Sequence, residues 1–163
     1  MHLMNKLLTF VTLPLYLLDQ ISKNYIVAHY ELNAEETTVV PGFFWIHHTA
    51  NTGVAFGVGN GQWWANYFFG AVSIGAALLI TVLWKKGAFP GPFSRMAAAL
   101  LYAGIAGNFT DRLLHGYVVD FLKFDLKFMM WPSFNVADSC VVTAAILLAA
   151  SSFHETPAKA VAK

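Results

Sequence analysis

Two aspartates in the second half of the chain are candidates for hydrolysis of a peptide bond. Asp120 follows two valines, and Asp138 opens the last long apolar run. Two carboxylates held close together cannot both ionise easily, so the pair shares a proton. The ionised one can act as a base on water, while the protonated one polarises the carbonyl and later donates a proton to the leaving amine. The simpler alternative is that Asp120 caps a turn and Asp138 caps a helix.

Each of these aspartates is preceded in the sequence by other polar residues. Asn108, Asp111 and Arg112 are spaced i, i+3 and i+4, so Asn108 shares a helix face with both of the others. Arg112 offers a planar fork for a carbonyl or a lipid ester, unless it forms a purely structural ion pair with Asp111. Asn135 and Asp138 are again three residues apart, on one face of a predicted helix.

Two shorter motifs lie in the first half of the chain. Asn51 and Gly53 have the residue types of a tight turn. The alternative to a simple turn is that the Asn51 amide holds an extended substrate backbone. Asp19 and Lys23 are spaced i, i+4 with the acid first, which is a favourable helix pair. We expect this pair to fix the outer end of the first helix rather than to perform chemistry.

Other reactive side chains give weaker indications. His47 and His48 are adjacent, and neighbours on a strand point to opposite faces, which disfavours their sharing one metal ion. The sequence has no HExxH or paired-cysteine motif, and its single cysteine, Cys140, lies in an apolar run. Ser22, Ser133 and Ser139 have neither a GxSxG context nor an obvious histidine partner. We therefore expect neither a metal nor a cofactor.

The chain that must position these residues is very apolar. Its 163 residues are 57% hydrophobic and 12% charged, whereas a soluble domain has about 25% charged residues. An aspartate at the centre of a membrane helix costs about 2.5–3.5 kcal/mol on insertion scales, so such residues usually serve a function. The net charge of +1, without a clustered basic face, gives no support for nucleic-acid binding.

Four apolar stretches are long enough to predict membrane helices, which need about 20 mostly apolar residues. The predicted helices cover residues 6–26, 66–84, 93–114 and 135–153, within a single membrane domain of residues 1–163. The first stretch has no small-x-small cleavage site after it, so we interpret it as an uncleaved helix.

Two segments between the helices are predicted to lie outside the membrane. Residues 30–62 contain two β-prone runs around a Pro41-Gly42 turn signal, which predicts a small sheet, a β-cradle. Residues 116–133 form the other segment, in which apolar and charged residues alternate from Leu122 to Phe128. This period of two predicts a strand or an extended arm lying on the membrane.

The basic residues predict the orientation. Six of the ten Lys and Arg fall on one side of the predicted helices: Lys6, Lys85, Lys86, Arg95, Lys159 and Lys163. Because the positive side is cytoplasmic, both termini are expected inside the cell. The polar motifs then lie at or just beyond the outer ends of the helices.

Taken together, these motifs resemble the lipoprotein signal peptidase family, also called signal peptidase II. Asp19-Gln20-Ile21-Ser22-Lys23 resembles its DQxxK box, Asn51-Thr52-Gly53-Val54-Ala55-Phe56 its NxGxAF box, and Gly107-Asn108-Phe109-Thr110-Asp111-Arg112 its GNxxDR box. Val119-Asp120-Phe121 and Phe134-Asn135-Val136-Ala137-Asp138-Ser139 resemble the two boxes that each carry one catalytic aspartate. All five occur in the family's order, which is far more specific than any one of them.

The resemblance implies a mainly α membrane protein with four transmembrane helices, a small extracytoplasmic β-cradle and an interfacial arm. It implies an aspartic endopeptidase of the bacterial inner membrane, which cuts a prolipoprotein just before its S-diacylglyceryl cysteine. Asp120 and Asp138 take the catalytic roles. Positions that bind substrate or orient the two aspartates are Asn51, Gly53, Asn108, Arg112 and Asn135. Structural support comes from Asp19, Lys23 and Asp111.

The expected partners are the diacylglyceryl-modified prolipoprotein and membrane lipid, with the enzyme as a monomer. The main alternative is a proton-coupled transporter that uses Asp120 and Asp138 as a relay. It predicts carboxylates near the bilayer midplane, whereas the polar motifs lie at the outer helix ends. A third alternative is a non-catalytic membrane scaffold, which would tolerate Asp138→Asn without loss of function.

Overall fold

The structure, a computed structural model, describes residues 2–34, 36–53 and 61–154. Its helices are α1 (His2–Leu7), α2 (Leu13–His29), α3 (Ala65–Lys85), α4 (Pro92–Leu114) and α5 (Val136–His154), and a π-helical turn (Leu8–Thr12) joins α1 to α2. The last three residues of the motif that begins at Asn51 lie outside the described residues, as do Lys159 and Lys163.

Two of the described helices, α3 and α5, are long and apolar enough to cross a membrane by length and composition. Helix α3 buries only Ala65 and Ile80. Large apolar side chains on its other faces, such as Tyr67 and Leu78, are exposed. A helix that is apolar all round needs an apolar environment outside the protein as well as inside it, and a lipid bilayer provides one.

Helices α4 and α5 pack closely because small residues line their contact. The core between them contains Ala97, Leu100, Ala103, Cys140 and Ala144. A Cβ added at Gly104 would lie only 2.6 Å from the carbonyl oxygen of Ala137 and from Cγ2 of Val141. Small residues at such positions let helix backbones approach each other, and the resulting van der Waals packing contributes to helix association in membranes.

Four strands form one antiparallel sheet in chain order: β1 (Thr37–Val40), β2 (Phe44–Asn51), β3 (Val118–Asp125) and β4 (Met130–Phe134). Gly42, with a φ of 68°, turns the chain between β1 and β2, and Phe43 N–H donates to the Val40 carbonyl at 3.0 Å. The sequence patterns assigned these strands to two separate segments. The structure joins them, because β3 pairs with β2.

This pairing fixes the position of Asp120. Asp120 lies opposite Thr49, and Val118 lies opposite Asn51. Val119 and Phe121 pack with Ile26 of α2 in a small hydrophobic core. Because alternate side chains of a strand point to opposite faces, packing of Val119 and Phe121 against α2 directs Asp120 to the other face of the sheet.

Candidate active site

Asp120 and Asp138 meet at Asn135, the residue immediately before α5. The Asn135 side-chain amide donates to Asp120 Oδ1 at 2.7 Å. Its backbone N–H donates to Asp138 Oδ2 at 3.3 Å, and the Asp138 N–H donates back to Asn135 Oδ1 at 2.8 Å. These reciprocal bonds have the pattern of a capping box at the start of the helix. Asn135 is therefore the N-cap residue of α5, and Asp138 completes the capping box, so the simpler sequence interpretation is right only in part for Asp138. Asp120 lies within β3 and not in a turn.

Two more asparagines hold the remaining carboxylate oxygens. Asn51 donates from its side chain to Asp120 Oδ2 at 3.0 Å, and Asn108 donates to Asp138 Oδ1 at 2.8 Å. The Asn51 Oδ1 accepts the Gly53 N–H at 3.0 Å, so Asn51 forms a side-chain turn and contacts Asp120 at the same time.

The electrostatics of Asp120 follow from its surroundings. Its side chain is buried, with the residue only 2% exposed. Burial, followed by the nearby Asp138 carboxylate, raises the pKa of Asp120 to about 7, while the hydrogen bonds from Asn51 and Asn135 act in the opposite direction. At neutral pH, this pair of carboxyl groups therefore holds a proton for an appreciable fraction of the time.

The two aspartates line a cavity of about 560 Å³. Its polar end is formed by Asn51, Asn108, Arg112, Asp120 and Asp138, and its largely apolar wall includes Trp131, Pro132, Phe134, Val141 and Val142. A pocket with a mainly apolar lining and a few convergent polar groups is the usual form of a binding site.

Arg112 joins the cavity to the loop after β2. Its guanidinium donates to the Gly53 carbonyl at 2.9 Å and to the Asn108 carbonyl at 3.3 Å, and it lies 5.8 Å from the centre of the Phe69 ring. Within the described residues, the Arg112 Nε is buried and has no hydrogen-bond partner. Asp111 is ion-paired with Lys23 at 2.9 Å rather than with its neighbour Arg112.

Comparison with known proteins decides the family. Residues 11–154 match the family described as Signal peptidase (SPase) II. The chain belongs to the signal peptidase II family.

Individual relatives agree with this membership. A lipoprotein signal peptidase from Psychromonas ingrahamii is 37% identical over 143 residues, covering 87% of this chain and 82% of the relative. One from Cellvibrio japonicus is 35% identical over 139 residues, covering 85% of this chain and 81% of the relative. A solved bacterial membrane enzyme is similar with a TM-score of 0.82 and 29% identity, covering 96% of this chain and 93% of that one. The family resemblance inferred from the five motifs is thus confirmed, and the chain is a bacterial membrane protease.

Beneath the cavity, this signal peptidase II chain has a second, fully buried polar cluster. Lys23 forms ion pairs with Asp19 at 2.8 Å and with Asp111 at 2.9 Å, and all three side chains are about 2% exposed. Lys23 also donates to Asn108 Oδ1 at 3.0 Å, which connects this cluster to the cavity. The structure therefore brings together the residues that the sequence analysis assigned to structural support.

Sequence reasoning did not single out Gln20. Its side-chain amide lies within hydrogen-bonding distance of Asp19 Oδ2, at 3.2 Å, and of Asp111 Oδ1, at 3.1 Å. Its place beside Asp19 in the first motif of the signal peptidase II pattern was the available signal.

Ser133, for which the sequence offered no obvious histidine partner, has one in the structure. Ser133 Oγ lies 2.7 Å from His47 Nε2, which connects β4 to β2 across the intervening strand. Burial, followed by the charge of Lys123, lowers the pKa of His47. The other histidine, His48, is buried and contacts the Tyr30 carbonyl at 3.0 Å. No group of three or more His, Cys, Asp or Glu among the described residues of this signal peptidase II chain could hold a metal ion.

Proposed function

We propose that this chain is an aspartic endopeptidase that removes signal peptides from prolipoproteins, cutting on the N-terminal side of the S-diacylglyceryl cysteine. The observation that carries this proposal is that Asp120 and Asp138 line one cavity and are both hydrogen-bonded to Asn135. The substrate class is supported by the names of the relatives, which are lipoprotein signal peptidases.

The mechanism uses one proton shared by Asp120 and Asp138. The ionised carboxylate takes a proton from water, whose oxygen attacks the scissile carbonyl, while the protonated carboxyl group transfers its proton to the carbonyl oxygen. When the resulting tetrahedral intermediate collapses, the carbon–nitrogen bond breaks. The amine receives the proton that came from water, and the other carboxylate recovers a proton from the intermediate. The pair again holds one proton, so each turnover ends where it began.

The asparagines keep both carboxylates oriented for these transfers. Asn51 and Asn135 donate to different oxygens of Asp120, which fixes the plane of that carboxylate. Asn108 and Asn135 do the same for Asp138. Orientation of this kind is set before the substrate binds, so little reorganisation is needed during the reaction.

The lining of the cavity also supports the proposal that the substrate is lipid-modified. Its apolar wall of Trp131, Pro132, Val141 and Val142 suits acyl chains, and the Arg112 Nε is a buried donor that a substrate carbonyl or ester oxygen would satisfy. A substrate whose cysteine and signal helix both lie in the bilayer has to be met there by its protease.

We further propose that the chain is a monomer of the bacterial inner membrane with four spans. In this arrangement, residues 2–29 and α4 cross the membrane in addition to α3 and α5. Both termini are cytoplasmic, because Lys6, Lys85, Lys86 and Arg95 lie at one end of the helices. The sheet and the cavity then lie at the outer face.

The deciding experiment is incubation of the purified chain in detergent with a diacylglyceryl-modified prolipoprotein. We expect the substrate to lose the mass of its signal peptide, and the same precursor without its lipid to remain uncut. Absence of any mass loss from the modified precursor, in a preparation shown to be folded, would overturn the proposed substrate. Cleavage of the modified precursor by an Asp138→Asn variant would instead remove the aspartic mechanism.

A further inference from the structure

We propose that Lys23 is a positioning residue for Asp120 and Asp138, acting through Asp19 and Asp111, each of which holds the backbone immediately before one of the two catalytic aspartates. This inference deepens the proposed function and rests on it.

The first connection leads from Lys23 to Asp138. Lys23 pairs with Asp19, and the other oxygen of Asp19 accepts the Ala137 N–H at 2.8 Å. Ala137 directly precedes Asp138 in the first turn of α5. Gly107 makes room for this contact, because a Cβ there would clash with Asp19 Oδ2 and would lie 3.0 Å from the Ala137 Cβ.

The second connection leads to Asp120 and has the same form. Lys23 pairs with Asp111, whose Oδ2 also accepts the Val119 N–H at 3.0 Å. Val119 directly precedes Asp120 in β3. One ammonium group therefore sets the spacing between two carboxylates, and each carboxylate fixes one backbone position. Gln20 contacts the same two carboxylates and reinforces the spacing.

A third connection passes through the side chain of Asn108. An ammonium group can only donate hydrogen bonds, so Lys23 must face the oxygen of the Asn108 amide. The amide nitrogen of Asn108 then points to Asp138 Oδ1, 2.8 Å away. The Asn135 side-chain amide also donates to this oxygen, at 3.2 Å. Lys23 and Asn135 together therefore fix the orientation of the Asn108 amide, so that its nitrogen faces the catalytic carboxylate.

Lys23 also contributes its charge to the pair. Burial and then the Asp138 carboxylate raise the pKa of Asp120, and the positive charge of Lys23 opposes that rise. Among the described residues, the other charged or titratable groups that interact with the two aspartates are Asp19 from α2, Arg112 from α4 and Cys140 from α5. Asp111 reaches the pair through Lys23. Lys23 is the central cation of this set, since it is paired with both Asp19 and Asp111.

The test compares Lys23→Met and Asp19→Asn with the native chain, using cleavage of the lipid-modified precursor across a range of pH. Lys123→Met is the matched control, because it removes a lysine that pairs with Glu36 outside the buried cluster. The two limbs of the activity profile report the two ionisations of the aspartate pair. Thermal unfolding in detergent is measured alongside to establish that each variant is folded.

We expect Lys23→Met to lower kcat by about 10²-fold, because small displacements of catalytic groups have effects of this size. We also expect both limbs to move to higher pH by about one unit, because loss of the positive charge makes ionisation harder. Asp19→Asn removes a negative charge, so both limbs should move to lower pH. Its single side-chain oxygen can accept either the Ala137 N–H or the Lys23 ammonium, so one of these two contacts is lost. Lys123→Met should leave the limbs in place.

Shifts of the pH profile in opposite directions for Lys23→Met and Asp19→Asn distinguish a positioning role from a purely structural one. Loss of a purely structural residue would reduce the folded fraction at every pH without moving the limbs of the profile. Unmoved limbs in folded Lys23→Met overturn the inference. If Lys23→Met does not fold, Asp19→Asn decides: a shift to lower pH supports the inference, and an unmoved profile overturns it. Either negative result leaves the proposed function intact, because that function fails only if the native chain does not cleave or if Asp138→Asn still does.

Discussion

The chain contains two pairs of buried aspartates that have opposite electrostatic settings. Asp19 and Asp111 have Lys23 between them, at 2.8 and 2.9 Å, and are buried inside the protein. We call these two aspartates the sealed pair. Asp120 and Asp138 are bridged by neutral asparagine side chains, form no ion pair with a described residue, and line a cavity. We call these two aspartates the open pair. The same residue type is thus paired with a cation in one place and bridged by neutral amides in the other.

Under the proposed mechanism, this difference separates the residues that stabilise the fold from those that perform the chemistry. A buried carboxylate without a cation is costly, and its cost is tolerated where the shared proton has a use. A buried carboxylate with a cation and backbone donors can serve as a rigid anchor. The two pairs are connected through Asn108, which contacts both Lys23 and Asp138. Substitutions in each pair should therefore fail in different ways.

The largest effect is expected on activity, from the open pair. Asp120→Asn and Asp138→Asn should each lower kcat by about 10³-fold, because general acid–base catalysis needs both groups. The double variant should be no worse than either single one, since the two residues act as a unit. The measurement is single-turnover cleavage of the lipid-modified precursor. Asp125→Asn, on the same strand, is the control and should retain full activity; additive losses in the double variant would contradict a shared role.

Removal of the Asp111 carboxylate from the sealed pair should act mainly on stability. Asp111→Ala leaves Lys23 with one fewer buried partner and the Val119 N–H without its acceptor. Breaking a buried ion pair from one side costs about 3–5 kcal/mol, so the unfolding midpoint in detergent should fall sharply. Asp111→Asn, which keeps an acceptor oxygen, should lose less. An Asp111→Ala variant as stable as the native chain would show that the cluster is not an anchor.

A smaller loss of stability is expected at Gly107, where α4 lies close to Asp19 of the sealed pair and to α5. Gly107→Ala places a methyl group against the Asp19 carboxylate and 3.0 Å from the Ala137 Cβ. Overpacking of this kind costs about 1–3 kcal/mol, and we expect some loss of activity with it because Ala137 precedes Asp138. Gly75→Ala in α3 is the control, since nothing lies within 4 Å of an added Cβ there. Equal thermal stabilities of the two alanine variants would exclude a close approach at Gly107.

The family, the membrane character of the chain and part of the site could be predicted from the sequence. The five motifs and their order led to the signal peptidase II family, which the comparisons confirm. The apolar composition led to a membrane protein. The spacing of Asn135 and Asp138 placed them on one helix face, and the structure joins them in a reciprocal cap.

The rest depends on contacts that no local pattern encodes. Asp19 accepts the N–H of a residue 118 positions away, and a backbone N–H has no side-chain signature that could mark it as a partner. His47 and Ser133 lie 86 residues apart on strands that are not neighbours in the sheet. The β-prone runs of residues 30–62 and the period-2 pattern from Leu122 to Phe128 predicted strands or an arm. They contained no information on which strands pair, so the single sheet is seen only in the structure.

The last expected effect concerns the change of stability with pH, and it also distinguishes the two pairs. Burial and then the Asp138 carboxylate raise the pKa of Asp120 to about 7, whereas an aspartate in an unfolded chain has a pKa of about 3.9. Between these values the folded state binds more protons than the unfolded one, so the unfolding free energy falls as pH rises from about 4 to about 7 and then levels off. The slope from this single group is at most about 1.4 kcal/mol per pH unit.

Asp120→Asn should remove that contribution, which makes the variant inactive yet less sensitive to pH in its stability than the native chain. Unfolding midpoints in detergent at pH 5 and pH 8, measured for both proteins, provide the check. An unchanged difference between the two midpoints after the substitution would mean that the proton resides elsewhere. A reduced difference would show that the open pair destabilises the native fold at the pH where it works, because its carboxylates have no cation such as the one that Asp19 and Asp111 share.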